Sequence, residues 1–439
     1  MTARVAFATL GCRLNQVDSQ ELAASLEARG FRTVAFEEPA DVVIVNTCAV
    51  TARAEFSDRQ AIHRAVRRNP GTRVVVTGCW AQTAPETVAA MQGVDLVVGN
   101  ADKPRLAGLV EALLRESAQP ARRIHVSDIG SHRTLDDPPP ARRAARSRAF
   151  LKVQDGCQHR CAFCIVPLAR GPSRSRPPHV VLDQARALVA AGHPEITLTG
   201  VDLGHYGADL SPRTSLAALV REAVAIPSLR WVRLSSVLPA YFTGELLDVL
   251  TTGPVIAPHF HVPLQSGSDR VLRLMRRPYN AKMYRSIVER LAAAVPALGL
   301  GADVIVGFPG EREADFDATC RLVDALPFSY LHVFPYSDRP GTEAVHRAGR
   351  VDAPTIAERG RVLRAMAADK NAAFRRRLVG TVQEALVLET RDRLSGSLVG
   401  LTGNYVEVLF EGPDAVMRTV ARVRVTGVDG PRTRGALQP

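Results

Sequence analysis

The chain has 439 residues, 46% of them hydrophobic and 23% charged, which is enough for two or three separately cored domains. It has no run of about 18 apolar residues, so a membrane-spanning helix is excluded; seven cysteines, an odd and sparse count, exclude a disulfide-stapled scaffold. A formal charge of +12 calls for a polyanionic partner, nucleic acid first.

The first expected element is "RVAFATL", a strand entering a core. As a lipoprotein signal ending at Cys12, its apolar stretch Val5–Leu10 would be too short. "DVVIVN", "RVVVTG" and "DLVVG" follow as β-branched runs of the buried-strand kind. Between them lie the helical patterns "SQELAASLEARG", closed by Gly30, and "APETVAAMQ". This alternation over residues 1–116 predicts an α/β domain with a parallel sheet and helices on both faces. Residues 117–142 lose apolar periodicity and carry a triple proline, predicting an Arg/Pro-rich linker with one short strand. Between Gln119 and Ala149 seven arginines stand against three aspartates, a solvated linker or a phosphate contact.

Within residues 143–373, six strand candidates ("FLKVQ", "EITLTG", "LRWVRLSS", "HFHVPL", "ADVIVGF", "YLHVF") alternate with helical stretches such as "VVLDQARALVAAG". Six successive βα units predict a partial (βα)6 barrel, with functional groups at the C-terminal strand ends. After a basic helical passage, residues 374–437 hold "TVQEALVLE", "NYVEVLF" and "MRTVARVRVTG" between glycine-rich turns. They predict a small antiparallel β-barrel. Flanked by Arg375, Arg376 and Arg377, such a barrel suits oligonucleotide binding or serves as a structural cap.

The chemistry concentrates in "QDGCQHRCAFC", where Cys157, Cys161 and Cys164 stand in C-x₃-C-x₂-C spacing with no fourth cysteine nearby. Structural zinc needs four closed ligands, and His159, beside Arg160 in a tight loop, is badly placed to be the fourth. A disulfide would leave one thiol over. Three thiolates on a [4Fe–4S] cluster leave one iron open to an exogenous ligand. That spacing just after the first barrel strand, with Phe163 before the last cysteine, is the radical S-adenosylmethionine arrangement. Cys12, Cys48 and Cys79 each follow a predicted parallel strand, along the sheet edge where ligands bind. Buried thiols can be simple core residues, but three at one edge read as a second three-thiolate [4Fe–4S] cluster. Cys320, on the helical pattern Phe316, Cys320, Val323, is expected in a core.

Over essentially its whole length the sequence resembles the radical-SAM methylthiotransferases. The resemblance rests on "GCRLNQVDS", "NTCAVTARAEFSDRQAIHR", "VVVTGCWAQ", "FLKVQDGCQHRCAFCIVPLARGPSRSR", "LTGVDLGHYG", "RLSS", "FHVPLQSGSDRVLRLM" and "VIVGFPGE", in that order. It implies an N-terminal methylthiotransferase domain, a radical-SAM core and a C-terminal TRAM RNA-binding domain. "NTCAVT" and "LTGVDLGHYG" look most like the enzymes acting on threonylcarbamoyladenosine in tRNA, although Asp202 stands where that branch is expected to carry histidine.

The implied reaction attaches a methylthio group at C2 of an adenine beside the anticodon. Cys157, Cys161 and Cys164 would hold the cluster that binds S-adenosylmethionine as radical source. A second S-adenosylmethionine would give the methyl group, and the cluster on Cys12, Cys48 and Cys79 would present or surrender sulfur. Candidate cofactor contacts are Phe163 in the cluster loop and, at strand ends, Thr199, Gly200, Ser235 and Gln265, with Val306–Gly310 where adenine can pack. The implied partners are a tRNA anticodon stem-loop and an electron donor such as flavodoxin or ferredoxin, in the cytoplasm and away from membranes. Alternatives are the isopentenyladenosine branch, a methylthiotransferase for an aspartate of a ribosomal protein, and a non-catalytic iron–sulfur RNA-binding protein. The charge favours RNA over a protein substrate.

Overall fold

The computed structural model describes residues 2–68, 71–115, 123–139 and 146–439. Of the expected linker, residues 117–122 and 140–142 lie outside the described residues. The chain divides into two compact units, the first made of Met1–Pro140, Gln154–Arg176 and Ser337–Val345. The second holds Ala141–Val153, Pro177–Tyr336 and His346–Pro439.

In the first unit six strands pair in parallel: β1 (Arg4–Thr9), β2 (Arg32–Val34), β3 (Val42–Thr47), β4 (Arg73–Gly78), β5 (Leu96–Val98) and β6 (Arg123–His125). Their order is β2-β1-β3-β4-β5-β6. Every residue of β3 is buried, the expected fate of a valine-rich strand covered on both faces. Val43, Val45, Val74 and Val76 pack with Ile62 and Ala65 of the helix Ala52–Arg68. On the other face Val42, Ile44 and Val75 meet Leu22 and Leu26 of the helix Arg13–Glu27 and Leu106 and Val110 of the helix Leu106–Arg115. The helix Arg13–Glu27 begins directly after Cys12, six residues ahead of the pattern read from the sequence. The short strand expected in the linker is β6, which extends the sheet beside β5. The chain turns one way from β1 to β2 and the other way to β3, so a topological switch point lies at the carboxyl ends of β1 and β3.

The second unit carries β7 (Ala149–Lys152), β8 (Glu195–Thr199), β9 (Trp231–Leu234), β10 (His259–His261), β11 (Gly299–Val306) and β12 (Tyr330–Pro335). They form two parallel three-stranded sheets, β9-β8-β7 and β10-β11-β12. The sheets meet where Val237 N donates to His261 O at 3.0 Å and Val232 bridges Ile256. This is the open six-strand arc that six βα units predict. Leu198, Val232, Phe260, Val262, Ala302 and Val304 face the helices and share one core. Cys320 packs against that core, as expected.

The last five strands, β13 (Val382–Arg391), β14 (Leu398–Thr402), β15 (Glu407–Phe410), β16 (Val420–Asp429) and β17 (Arg432–Leu437), close into a barrel in the order β13-β14-β15-β17-β16. Pairing is antiparallel except for one parallel register, Leu409 with Arg434. The loop Gly403–Tyr405 abuts the arc within this unit. A Cβ on Gly299 would lie 2.1 Å from Asn404 O. Arg233, wholly buried with Glu195, donates to Gly403 O at 3.0 Å. Among the described residues no helix is long and apolar enough to cross a membrane.

Asp315 gives the second unit an acid-sensitive joint. Its carboxylate accepts from Ser268 Oγ at 2.6 Å, from the Arg312 amide at 2.9 Å and from Arg270, so it fastens two helix starts together. Burial alone would raise this carboxyl, but those hydrogen bonds outweigh it and hold it at about 2. A depressed carboxyl stabilises the fold above the ordinary carboxylate value and loses that contribution as pH falls through the folded value. Wild-type stability should therefore fall between about pH 4 and pH 2 by roughly 2 kcal/mol more than that of Asp315→Asn, read by denaturant unfolding.

Candidate functional site

Two sets of three cysteines define the site, and both lie in the first unit. Cys12 follows β1, Cys48 comes directly after β3, and Cys79 opens the short helix Cys79–Thr83 after β4. Their crowding is visible in two glycines. A Cβ on Gly11 (φ +88°) would lie 2.9 Å from Cys48 Sγ, and one on Gly78 (φ +101°) 2.4 Å from Thr47 O. Only glycine lets these three strand ends converge.

Asn15 ties the loops together. Its Nδ2 donates to Leu10 O at 2.7 Å, two residues before Cys12, and to Thr47 O at 2.9 Å, immediately before Cys48. Asn100 Nδ2 lies 3.8 Å from Cys79 Sγ and donates to Ala169 O at 2.7 Å. Cys12, Cys48 and Cys79 are free thiols. Burial, then the neighbouring Cys79 and Cys12 thiols, push the Cys48 thiol up to about 12. Crowded thiolates at the mouth of a switch point need a cation to become stable together, and an iron–sulfur cluster supplies it. The donor set fits that group.

Cys157, Cys161 and Cys164 lie on the loop between the short paired segments Gln154–Asp155 and Arg174–Ser175. Gln154 Nε2 braces it from inside, donating to Asp155 O, Gly156 O and Ser173 Oγ at 2.7–3.0 Å. The Cys157 amide donates to Gly171 O at 3.0 Å, and the Cys164 amide to Cys161 O at 3.0 Å. Three soft donors within eight residues on a braced loop fit a cluster with an open iron. Phe163 is half-buried between the last two cysteines.

Arg170 connects the two sets, and sequence reasoning did not single it out. Its guanidinium donates to both oxygens of Asp155 at 2.9–3.0 Å, to Asn15 Oδ1 at 2.6 Å and to Asp18 Oδ2 at 3.0 Å. Lys103 Nζ reaches the same Asp18 oxygen at 2.6 Å. Burial opposes the charge, but Asp155, Cys79, Asp18 and Cys12 hold Arg170 protonated well above its ordinary value. The signal was "LARG" in the long cysteine-loop motif, two turns beyond Cys164.

Thr199 ends β8 with its hydroxyl buried and unpartnered, and the Gly200 amide donates to Ser235 Oγ at 3.4 Å. Gln265 follows β10 in a left-handed turn (φ +67°), its amide donating to Asp303 O and its carbonyl accepting from the Ile305 amide. Asp202 is buried after β8 and accepts from Tyr241 Oη at 3.2 Å.

An open βα arc with a three-cysteine loop after its first strand is the architecture of a radical-SAM enzyme, and residues 151–323 match the Radical SAM superfamily. Residues 4–99 match the group described as uncharacterized protein family UPF0004. The chain is 37% identical to a threonylcarbamoyladenosine tRNA methylthiotransferase of Bacillus subtilis, over 99% of this chain and 96% of that protein. The Aquifex aeolicus protein of the same name is 39% identical over 95% and 99%. A tRNA-2-methylthio-N(6)-dimethylallyladenosine synthase of Parafrankia is 37% identical over 93% and 83%. This chain belongs to the radical-SAM methylthiotransferase family. A solved radical S-adenosylmethionine methyltransferase from Kitasatospora setae shares the fold, with TM-score 0.59 over 79% of this chain and 77% of that one at 17% identity. Membership of the superfamily implies a [4Fe–4S] cluster and S-adenosylmethionine.

Proposed function

We propose that this chain is the methylthiotransferase that converts N6-threonylcarbamoyladenosine beside the tRNA anticodon to its 2-methylthio derivative. Two [4Fe–4S] clusters serve it, one on Cys157, Cys161 and Cys164 and one on Cys12, Cys48 and Cys79. The observation that carries this reading is the convergence of the second thiol set at a switch point, which cleavage of S-adenosylmethionine alone does not require. Near-complete coverage of the Bacillus subtilis and Aquifex aeolicus relatives supports the threonylcarbamoyl branch. An sp² C–H bond is inert to acid–base attack, so cluster and S-adenosylmethionine supply the radical chemistry. The protein's part is to hold thiols, orient cofactor and nucleoside, and exclude water. Thr199, Gly200, Ser235, Gln265 and Phe163 are the proposed cofactor contacts. An electron donor of the flavodoxin or ferredoxin kind completes the system, in the cytoplasm with its tRNA.

The test is nucleoside mass spectrometry of tRNA. Deleting the gene should remove 2-methylthio from threonylcarbamoyladenosine and spare the isopentenyl nucleoside; the reverse pattern would move the chain to the other branch.

The C-terminal barrel and its approach helix are the proposed grip on the tRNA backbone. Of the three arginines closing the helix Ala353–Arg377, Arg375 is turned inward, bonded to Asn371 Oδ1 and Gly430 O at 2.8 Å. Arg376 and Arg377 are exposed. Their double alanine variant should flatten the slope of log binding constant against log salt by about 1 to 2. An unchanged slope in filter binding would take the phosphate contacts elsewhere.

A further inference from the structure

Barrel interiors of this kind are ordinarily filled by branched apolar side chains, and part of this one is not. Along β10, β11 and β12, Phe260, Val262, Ala302 and Val304 belong to the outer core, with Leu331 and Val333 packed against it. The alternate positions His261, Asp303 and His332 therefore share the inner face. Their ligating atoms lie within 4.8 Å of one another. His261 Nδ1 is bonded to Ser236 Oγ at 2.6 Å, which leaves Nε2 facing its neighbours. That atom is buried and, although 3.2 Å from Asp303 Oδ1, makes no hydrogen bond. His332 stacks obliquely on His261, ring centres 5.9 Å apart, and is exposed.

We propose that His261, Asp303 and His332 form the subsite for the polar, carboxylate-bearing N6 substituent of the substrate nucleoside; this rests on the function proposed above. The chemistry is complementary group by group. A threonylcarbamoyl chain offers a carboxylate to accept hydrogen bonds, and a ureido N–H and a hydroxyl to donate them. The two imidazoles donate to the carboxylate, and Asp303 accepts from the ureido N–H or the hydroxyl. An isopentenyl group offers none of these, so it would cover the buried His261 Nε2 without giving it a hydrogen-bond partner, and a site built on hydrogen bonds discriminates strongly against such an analogue. The trio is thus a specificity device.

The experiment uses the full-length, cluster-reconstituted enzyme and its variants His332→Phe and Asp303→Asn, compared at equal iron content. Substrates are anticodon stem-loops carrying threonylcarbamoyladenosine, its carboxamide analogue, or isopentenyladenosine. Wild type should prefer the carboxylate substrate over its carboxamide analogue by about tenfold or more in kcat/KM. His332→Phe should erase that preference mainly through KM, and Asp303→Asn should weaken use of both ureido substrates. Wild-type preference for the carboxylate that survives in both variants would overturn the subsite alone. Wild-type activity confined to the isopentenyl substrate would overturn the functional reading and the subsite with it. A third metal, bound by a variant lacking the six cluster cysteines and lost on His332→Phe, would replace the subsite with a cation site.

Discussion

Changing Cys157, Cys161 and Cys164 to alanine together is expected to remove about half of the iron and all cleavage of S-adenosylmethionine. The two thiol sets hang on different strand ends, Cys12, Cys48 and Cys79 on β1, β3 and β4 and the others on the loop after β7. The N-terminal set is held by its own sheet, Asn15 and Gly11, none of which needs the second loop to be metallated. It should therefore keep its iron when the second set is lost. The reciprocal variant, with Cys12, Cys48 and Cys79 changed to alanine, should still yield 5′-deoxyadenosine with a chemical reductant yet transfer no methylthio group. Iron analysis and product chromatography read both. Full iron retention in the first variant, or normal sulfur transfer by the second, would dismantle the two-cluster assignment.

The placing of the cysteines was legible in sequence because it depends on short spacings and on strand ends that valine-rich runs announce. Parallel strands have carboxyl ends on one edge, so placing Cys12, Cys48 and Cys79 needed only the strand pattern. The arc and the terminal barrel were legible for the same reason, since each strand is a short β-branched or aromatic run bounded by turns. Residues acting through tertiary contact were not. Arg170 sits one helix beyond its cysteines, and its partners Asn15 and Asp18 lie about 150 residues away in the chain. A guanidinium among 52 arginines carries no local mark of burial. The same holds for Arg375, read as a phosphate contact until the fold turned it into the barrel. His261, Asp303 and His332 stand on three strands, and only the pleat brings them to one face.

Arg170→Met is expected to be among the most damaging single changes outside the cysteines. The Arg170 side chain is 3% exposed and that of Asp18 2%, and the guanidinium reaches both oxygens of Asp155 as well as Asn15 and Asp18. Methionine keeps the volume but leaves the Asp155 carboxylate buried without its cation, while Asp18 retains Lys103. Removing one partner of a buried pair costs about 3–5 kcal/mol, because the surviving charge cannot be resolvated. For a unit of this size that is a fall in Tm of roughly 10 °C. Arg170→Lys should recover only part, since a point charge cannot span the fork. Adding Asp155→Asn to Arg170→Met removes the stranded charge and should restore more stability than either change predicts alone. The functional loss should exceed the thermal one. Asn15, which Arg170 orients, also fastens the chain before Cys12 and Cys48, so loosening it should lower iron loading of the N-terminal set first. Iron content, differential scanning calorimetry and methylthio transfer measured on the same three variants decide the matter. A Met variant that melts with wild type and loads full iron would show Arg170 to be a passive filler.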